Sequence, residues 1–164
     1  MRPIRLSDVR RNYRAWMNDP QVNRFMESRF KKWSMVGLIN YIREINKDPG
    51  RLFFAIILKD VDKHIGNIKI GPVNWNHKFA NISIVIGEKS LWGNGLAAES
   101  LRLAINYAFN SLKIHKLTAG IYEKNIGSLK AFKKVGFVAE GRLKNQYMYN
   151  GRYIDAVLLG ISRK

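Results

Sequence analysis

Residues 90–99 have the sequence Ser90-Leu91-Trp92-Gly93-Asn94-Gly95-Leu96-Ala97-Ala98-Glu99 and lie between an apolar, strand-like run (82–86) and a long amphipathic helical pattern. The two glycines allow a tight turn and the close approach of a ligand, because no Cβ stands in the way. The first turn of the following helix has N–H groups without an intrahelical partner, and the helix dipole adds partial positive charge there. The stretch therefore predicts a cradle for a phosphate or a diphosphate.

The glycine pair differs from two other phosphate-binding motifs. The dinucleotide fingerprint needs a third glycine and an acidic residue about 20 residues further on. The third glycine is missing here, and neither Asp nor Glu occurs between Glu99 and Glu123. No Gly-Lys-Ser/Thr sequence follows either, which excludes the nucleoside-triphosphate loop. The molecule that carries the phosphate has to be identified from other features.

The composition is that of a folded, single-domain protein spanning residues 1–164. Of these residues 46% are hydrophobic and 12% aromatic, enough for one full core. The chain has no cysteine, no apolar run long enough to cross a membrane and no apolar segment after Met1. We therefore expect a cytoplasmic protein without a membrane anchor. Three isolated histidines show no ligand spacing and predict no metal site: His64, His77 and His115.

The charge is strongly positive. Lys and Arg number 29 against 12 Asp and Glu, a formal net charge of +17. Such a field attracts anions and repels cations, so we expect an anionic cofactor and an anionic acceptor, with the ribosome or RNA as an alternative partner. A polyamine substrate is unfavourable on this argument. The alternative interpretation is that the charge serves only solubility.

The pattern of apolar residues and turn residues predicts an α+β fold with a mixed, mostly antiparallel sheet of about six to seven strands and helices on both faces. On the helix over 95–111, the inward face is predicted to contain Leu96, Ser100, Leu103, Ala104 and Tyr107. The other predicted helices cover 8–17 (capped by Ser7), a short piece ending at Met26, 34–48 and 125–134, and the predicted strands cover 52–58, 65–70, 79–86, 116–122, 137–140 and 153–161.

Three elements resemble the GCN5-related N-acetyltransferase (GNAT) superfamily. Its acetyl-CoA motif, Gln/Arg-x-x-Gly-x-Gly/Ala, is matched at Gly95 and Ala97, with Trp92 in the first position as in ribosomal-protein-acetyltransferase-like members. Residues 125–137 are similar to the family element Asn-x-x-Ser-x-x-x-Phe/Tyr-x-Lys-x-Gly-Phe. The third element is similar to the tail of the same branch: Glu140-Gly141-Arg142-Leu143, then Gly151 and Asp155.

This resemblance implies a single acyl-CoA N-acyltransferase (GNAT) domain, in which 79–137 bind acetyl-CoA and 1–50 form a helical acceptor side. It implies that Asn125 contacts the pantetheine arm near the thioester, and that Phe132 stands where many relatives have a catalytic tyrosine. The arm would pair with the backbone of Val85, Ile86 and Gly87, where two central strands splay apart. The diphosphate would be held by the amides of Trp92, Gly93, Asn94, Gly95, Leu96 and Ala97.

The chemistry expected is direct attack of an amine on the thioester, because a chain without cysteine forms no acyl-cysteine intermediate. Relatives often use a glutamate as the base where this chain has Asn81, so the candidates are Glu88 and Glu27. Because Phe132 has no hydroxyl, the candidate general acids are Tyr122 and Tyr147, with bulk water as the alternative.

The acceptor is predicted from residues 16–29, which resemble a segment of acetyltransferases that act on nucleotide-linked amino sugars. Trp16 or Phe25 would stack on a base or sugar and Arg29 would bind a phosphate, with Asn18 as a further substrate candidate. Trp16 and Phe25 fit a core role equally well. The alternatives are a protein N-terminus, such as that of a ribosomal protein, and a non-catalytic CoA- or RNA-binding module. A monomer and a homodimer both remain open.

Overall fold

A computed structural model describes residues 1–163 of the chain. Five helices and seven strands follow one another in the order β1, α1, α2, α3, β2, β3, β4, α4, β5, α5, β6, β7. The helices are α1 (Arg11–Asn18), α2 (Pro20–Asn23), α3 (Met35–Lys47), α4 (Leu96–Asn106, continued by a π turn over Tyr107–Ser111) and α5 (Ile126–Lys134). The strands are β1 (Arg2–Pro3), β2 (Leu52–Leu58), β3 (Lys63–Asn74), β4 (Phe79–Ile86), β5 (Lys116–Tyr122), β6 (Val138–Tyr149) and β7 (Arg152–Ser162).

All seven strands form one sheet in the order β1-β2-β3-β4-β5-β7-β6. Every neighbouring pair is antiparallel except β4 and β5, which are parallel and joined through α4. Their ladder is short, because it pairs only residues 79–81 with 116–118. Beyond that point β4 stays on β3 and β5 stays on β7, so a gap opens in the middle of the sheet.

Each face of the sheet is covered by helices, because the side chains of successive strand residues point to opposite faces. On one face Ile68 and Ile70 pack in one cluster with Leu101 of α4 and Phe132 of α5. On the other face Ala55 packs in a second cluster with residues of α1 and α3, among them Tyr13, Trp16, Leu38 and Ile42. The predicted α+β fold with helices on both faces is confirmed.

Helix caps set several of the boundaries that the sequence predicts. The Ser34 hydroxyl accepts a hydrogen bond from the Gly37 amide at 3.0 Å and begins α3. Asp19 does the same for α2, accepting from the Gln21 amide at 2.8 Å, with Pro20 in the first helical position. Such caps stabilise a helix because they satisfy amides that have no partner within it.

Three of the predicted details are wrong. The first helix begins at Arg11 instead of residue 8, because Asp8 belongs to a 3-10 turn and accepts hydrogen bonds from Arg2 and the Arg5 amide. On α4 the inward face is rotated, so Leu103 is 49% exposed whereas Leu101 is fully buried. The sixth strand covers twelve residues instead of four; it lies at the edge of the sheet, where its exposed side chains show no apolar alternation.

Candidate active site

The loop between β4 and α4 forms an open cradle of amides. Gly93 and Gly95 have φ angles of +86° and +78°, in the left-handed region that favours glycine, and no atom lies within 4 Å of where a Cβ would stand. Within the described chain, the amides of residues 93–98 donate to no backbone or side-chain acceptor. Six consecutive free donors at the positive end of an eleven-residue helix fit a diphosphate.

The cradle is attached to the end of β4 by Trp92. Its indole Nε1 donates a hydrogen bond to the Ile86 carbonyl at 2.8 Å. The ring itself stays 42% exposed at the rim of the cradle. Trp92 therefore fixes the position of the cradle relative to the gap between β4 and β5.

The gap leaves main-chain groups of β4 without a strand partner. The Gly87 amide donates to the Ile65 carbonyl of β3 at 2.8 Å, so Gly87 faces β3. Because alternate residues face opposite neighbours, Val85 also faces β3, whereas Ile84 and Ile86 face the gap. This changes the set predicted to pair with a pantetheine arm. Within residues 1–163 the Ile86 amide and the amide and carbonyl of Ile84 have no strand partner, whereas the Gly87 amide has one.

A cavity of about 420 Å³ lies behind the gap, between the sheet and the N-terminal segment. Its volume suits one small molecule. Within residues 1–163 only two residues that line it carry a formal charge, Glu27 and Lys69. The rest of the wall is formed by Tyr13, Met17, Phe25, Met26, Ser28, Tyr41, Phe53, Asn67, Ile82, Ser83, Ile84, Val85, Ala119, Gly120, Ile121, Tyr122, Asn125, Ser128, Phe132 and Tyr147.

Tyr122, the last residue of β5, connects the N-terminal segment to the sheet. Its hydroxyl donates a short hydrogen bond to Glu27 Oε1 and accepts one from Arg29 Nη1 at 2.6 Å. Burial, and next the Glu27 carboxylate, raise the pKa of Tyr122 to about 12. Tyr122 is therefore protonated at neutral pH, and its proton is directed at Glu27.

Tyr147 of β6 stacks on Tyr122, with ring centroids 3.9 Å apart and an interplanar angle of 10°. Its hydroxyl has no hydrogen-bond partner within residues 1–163, and burial raises its pKa. Phe25 lies on the other side, 5.6 Å from Tyr122 and 5.1 Å from Tyr149 between centroids. The cavity therefore has an aromatic wall that contains the Glu27 carboxylate and, within the described residues, an unpaired hydroxyl on Tyr147.

A comparison with known families assigns the chain. The sequence profile described as "Acetyltransferase (GNAT) domain" matches residues 1–138. The chain belongs to this family. It is an acyltransferase that uses acetyl-CoA as its co-substrate, so the alternative of a non-catalytic module is dropped.

Several relatives of this GNAT acetyltransferase match along nearly the whole chain. It is 26% identical over 166 residues to the uncharacterized N-acetyltransferase p20 of Bacillus licheniformis, covering 100% of this chain and 92% of that protein. It is 26% identical over 161 residues to spermidine N(1)-acetyltransferase of Escherichia coli K12, covering 98% and 84%. The crystal structure of Vibrio cholerae spermidine N-acetyltransferase in complex with CoA and spermine has a TM-score of 0.87 at 23% identity, covering 98% and 93%.

Three substrate residues predicted from the sequence have structural roles in this acetyltransferase. Trp16 is 8% exposed and packs on Tyr13, His64 and Gly87, where a Cβ would come within 2.1 Å of the indole. The Asn18 side chain bonds main-chain groups of Arg14 and Trp33 and does not line the cavity.

Arg29 is the third. Its side chain is 14% exposed, and its guanidinium donates to Tyr122 and to the carbonyls of Met26 (3.0 Å) and Met148 (2.9 Å). It is not free to bind a phosphate. Trp16, Asn18 and Arg29 do not line the cavity, so their substrate roles stay predictions that these contacts disfavour, whereas Phe25 does line the cavity.

The two candidate bases are separated by the structure. Glu88 lies outside the cavity wall and pairs with Lys63 at 2.7 Å, and this hydrogen bond lowers the pKa of Glu88. Glu88 as the base therefore stays a prediction that its position disfavours. Glu27 lines the cavity and is in contact with Tyr122. Asn81 accepts a hydrogen bond from the Thr118 hydroxyl at 2.7 Å, on the short β4–β5 ladder.

Asn125 and Phe132 both line the cavity, as the sequence predicts for residues near the thioester, although their contact with the cofactor stays a prediction. The Asn125 side-chain oxygen accepts from the Ser128 amide at 3.3 Å and so begins α5. Phe132 is 2% exposed and packs edge-on against Phe137.

Sequence reasoning missed the polar residues of β3 that line the cavity, Asn67 and Lys69. They alternate with Ile68 and Ile70, a pattern that usually indicates one buried and one solvated face. The same sequence predicts helices on both faces, so the polar face had to be covered. A polar strand face under a predicted helix layer was therefore the sequence signal that indicated a site.

Two further findings apply to residues 1–163. No group of three or more His, Asp or Glu side chains there could hold a metal ion. None of the helices described there is long and apolar enough to cross a membrane.

Proposed function

We propose that this acetyltransferase transfers acetyl directly to a neutral primary amine bound in the cavity, and that Glu27 accepts the proton of that amine. The observation that carries the proposal is the contact between Glu27, Tyr122 and Arg29 at the gap between β4 and β5. Within the described chain Glu27 is the only carboxylate that lines the cavity. A base has to lie where the amine binds, because an ammonium ion has no lone pair for attack.

The cofactor side supplies binding and alignment. Bound acetyl-CoA supplies an acetyl group that is activated as a thioester. The amides of residues 93–98 would hold its diphosphate, and the free main-chain groups of Ile84 and Ile86 would pair with its amide-containing arm. Asn125 and Phe132 would flank the end of that arm. Holding two reactants in line is worth roughly 7–11 kcal/mol of the barrier.

Glu27 is suited to collect a proton and release it. Its side chain is 67% exposed, so water can carry the proton away. Tyr122 donates to one carboxylate oxygen, and the Arg29 guanidinium lies 3.7 Å from it, which holds the carboxylate in place. Tyr122 itself is a positioning residue, because its raised pKa keeps it protonated.

Tyr147 is the candidate proton donor to the leaving sulfur. Its hydroxyl lines the cavity near Gly120 and has no partner within residues 1–163. A thiolate is a weak base, so a hydrogen bond from Tyr147 or a proton from water is sufficient. We expect loss of this hydroxyl to lower kcat less than loss of the Glu27 carboxylate does.

The acceptor is proposed to be an amine that carries an anionic group. The net charge of +17 and the presence of Lys69 in the cavity support an anion. A nucleotide-linked amino sugar, the acceptor predicted from the sequence, is one such molecule. A polyamine is the second candidate, because two relatives are spermidine acetyltransferases. A protein N-terminus is the third.

The test is release of free thiol from acetyl-CoA with wild type and Glu27→Gln. We expect the substitution to lower kcat by about 10²–10⁴, while calorimetry gives the same affinity for CoA. Glu44→Gln is the matched control, because Glu44 is exposed and pairs only with Lys47. A wild-type kcat in Glu27→Gln would overturn the assignment. A panel of amino sugar nucleotides, small amino acids, spermidine and N-terminal peptides separates the acceptors.

A further inference from the structure

We propose that Lys69, with the Tyr13 hydroxyl as a second donor, forms a subsite that binds an oxyanion of the acceptor, a carboxylate or a phosphate, and thereby selects amines that carry one. The inference rests on the proposed function in one respect: the acceptor has to occupy the cavity that these residues line. It names the chemical class of the acceptor and the residue that discriminates for it.

The register of the sheet places Lys69 on the inner wall of the cavity. Lys69 and Asn67 are two residues apart on β3 and so share a face. Their cross-strand partners on β4 are Ser83 and Val85, and all four line the cavity. This is the face that α1 and α3 cover, not the face packed on α4 and α5. The Lys69 ammonium is therefore placed over the inner wall and not in bulk solvent.

Lys69 is a half-buried cation without a counter-ion. Within residues 1–163 no carboxylate lies within 4 Å of its ammonium, and no hydrogen-bond acceptor is in contact with it. Burial lowers the pKa of Lys69, and the charge of nearby Arg51 lowers it further. Arg51 has its own partner, Asp48, at 3.0 Å. A charge removed from water at a cost is stabilised by an anion that arrives with a ligand.

Two further polar groups of the cavity wall have no hydrogen-bond partner within residues 1–163. Tyr13 is 1% exposed and lines the cavity, and its hydroxyl has no hydrogen bond within the described residues. Burial raises the pKa of Tyr13, which keeps the hydroxyl a donor. Asn67 is 2% exposed; its amide donates to the Phe54 carbonyl at 3.3 Å, whereas its Oδ1 is unpaired. Buried polar groups are normally satisfied. The Tyr13 hydroxyl can donate to an oxyanion, whereas Asn67 Oδ1 can only accept and fits a donor group of the acceptor instead.

The two charges of the cavity then select a bipolar acceptor. Glu27 lies at the β5 end, in contact with Tyr122, and Lys69 lies on β3, across β4. An amine directed to Glu27 places an attached oxyanion on the Lys69 side. A polyamine would place a second cation there, and this repulsion disfavours it.

The test compares acceptors that differ in one group: 4-aminobutanoate, 3-aminopropyl phosphate, n-butylamine and spermidine. We expect the wild type to prefer one or both of the first two by about 10–100-fold in kcat/KM, the range of a hydrogen bond to a charged group. Lys69→Met should abolish this preference, by raising KM for the two anionic acceptors. Lys69→Arg should retain part of it. Lys59→Gln, an exposed lysine on the turn after β2, is the control.

A second measurement separates this inference from the function of Glu27. Butanoate and propyl phosphate carry the oxyanion without an amine, so their binding to the CoA complex by calorimetry needs no catalysis. We expect at least a tenfold weaker affinity in Lys69→Met and an unchanged affinity in Glu27→Gln, and the tighter of the two ions identifies the oxyanion. Equal kcat/KM for 4-aminobutanoate, 3-aminopropyl phosphate and n-butylamine, or unchanged anion binding in a folded Lys69→Met, would overturn the subsite.

Discussion

The cofactor side and the acceptor side of this enzyme differ in how their function is encoded. On the cofactor side, residues 79–137, the cradle is made of backbone amides, and the two glycines at 93 and 95 set their direction locally. On the acceptor side, the wall is made of side chains that are far apart in the chain: Glu27 and Tyr122 are 95 residues apart. Local conformation can be predicted from a short motif, whereas a wall assembled by the topology cannot.

The largest expected effect tests the cofactor side. Gly95→Val adds a β-branched side chain at φ +78° and fills the open space of the cradle. Left-handed backbone costs an ordinary residue about 1–2 kcal/mol, so the fold survives, but amides 93–98 no longer converge on one anion. We expect the affinity for CoA to fall below detection by calorimetry, with only a modest loss in thermal stability.

A matched pair of variants makes that test specific. Gly95→Ala and Gly127→Ala add the same methyl group into open space, the first in the cradle and the second in the first turn of α5. Only Gly95→Ala should weaken CoA binding. If both variants bind like the wild type, the amides around Asn94 do not hold the diphosphate.

Much of the fold could be predicted because its determinants are local. Strands 52–58, 79–86 and 116–122 were predicted with the bounds that the structure has. Their apolar runs and flanking turn residues suffice, as does the cap at Ser34. The length of the edge strand β6 was not predicted. Because β6 pairs only with β7, its side chains are exposed and its sequence shows no apolar alternation.

The acceptor wall was predicted poorly for a physical reason. The guanidinium of Arg29 donates to a carbonyl of β6, which is more than 100 residues away in the sequence. Trp16 packs on Gly87, which is 71 residues away. Neither contact depends on neighbours in sequence. Only tertiary contacts decide between core and ligand. The polar face of β3 could have been identified from the sequence, because a strand face that helices cover is expected to be apolar.

The second prediction concerns Arg29, which the sequence assigned to the acceptor. Arg29→Ala removes three hydrogen bonds from a nearly buried guanidinium, those to Tyr122, to the Met26 carbonyl and to the Met148 carbonyl. We expect a loss of about 2–4 kcal/mol in the free energy of unfolding. We also expect a lower kcat, because Tyr122 and Glu27 lose their support, with little change in either KM.

Denaturant unfolding and steady-state kinetics check this outcome, and Arg14→Ala, an exposed arginine of α1, is the control. A tenfold rise in the acceptor KM at unchanged kcat and stability would return Arg29 to the acceptor. It would also remove the distinction between the cofactor side and the acceptor side, because short sequence segments would then have identified residues on both.

The smallest expected effect is on alkaline stability. The pKa of Tyr122 rises from 10.0 in the unfolded chain to about 12 in the folded protein. Its stabilising contribution is therefore complete below about pH 10 and is lost as the pH rises through 10 to 12. Between pH 9 and pH 11 the wild type should lose about 1 kcal/mol more than Tyr122→Phe, measured by denaturant unfolding. Tyr13 and Tyr147 titrate in both proteins and cancel in this difference. Equal losses would mean that Tyr122 is not held between Glu27 and the aromatic wall, and the acceptor side would then lack its central contact.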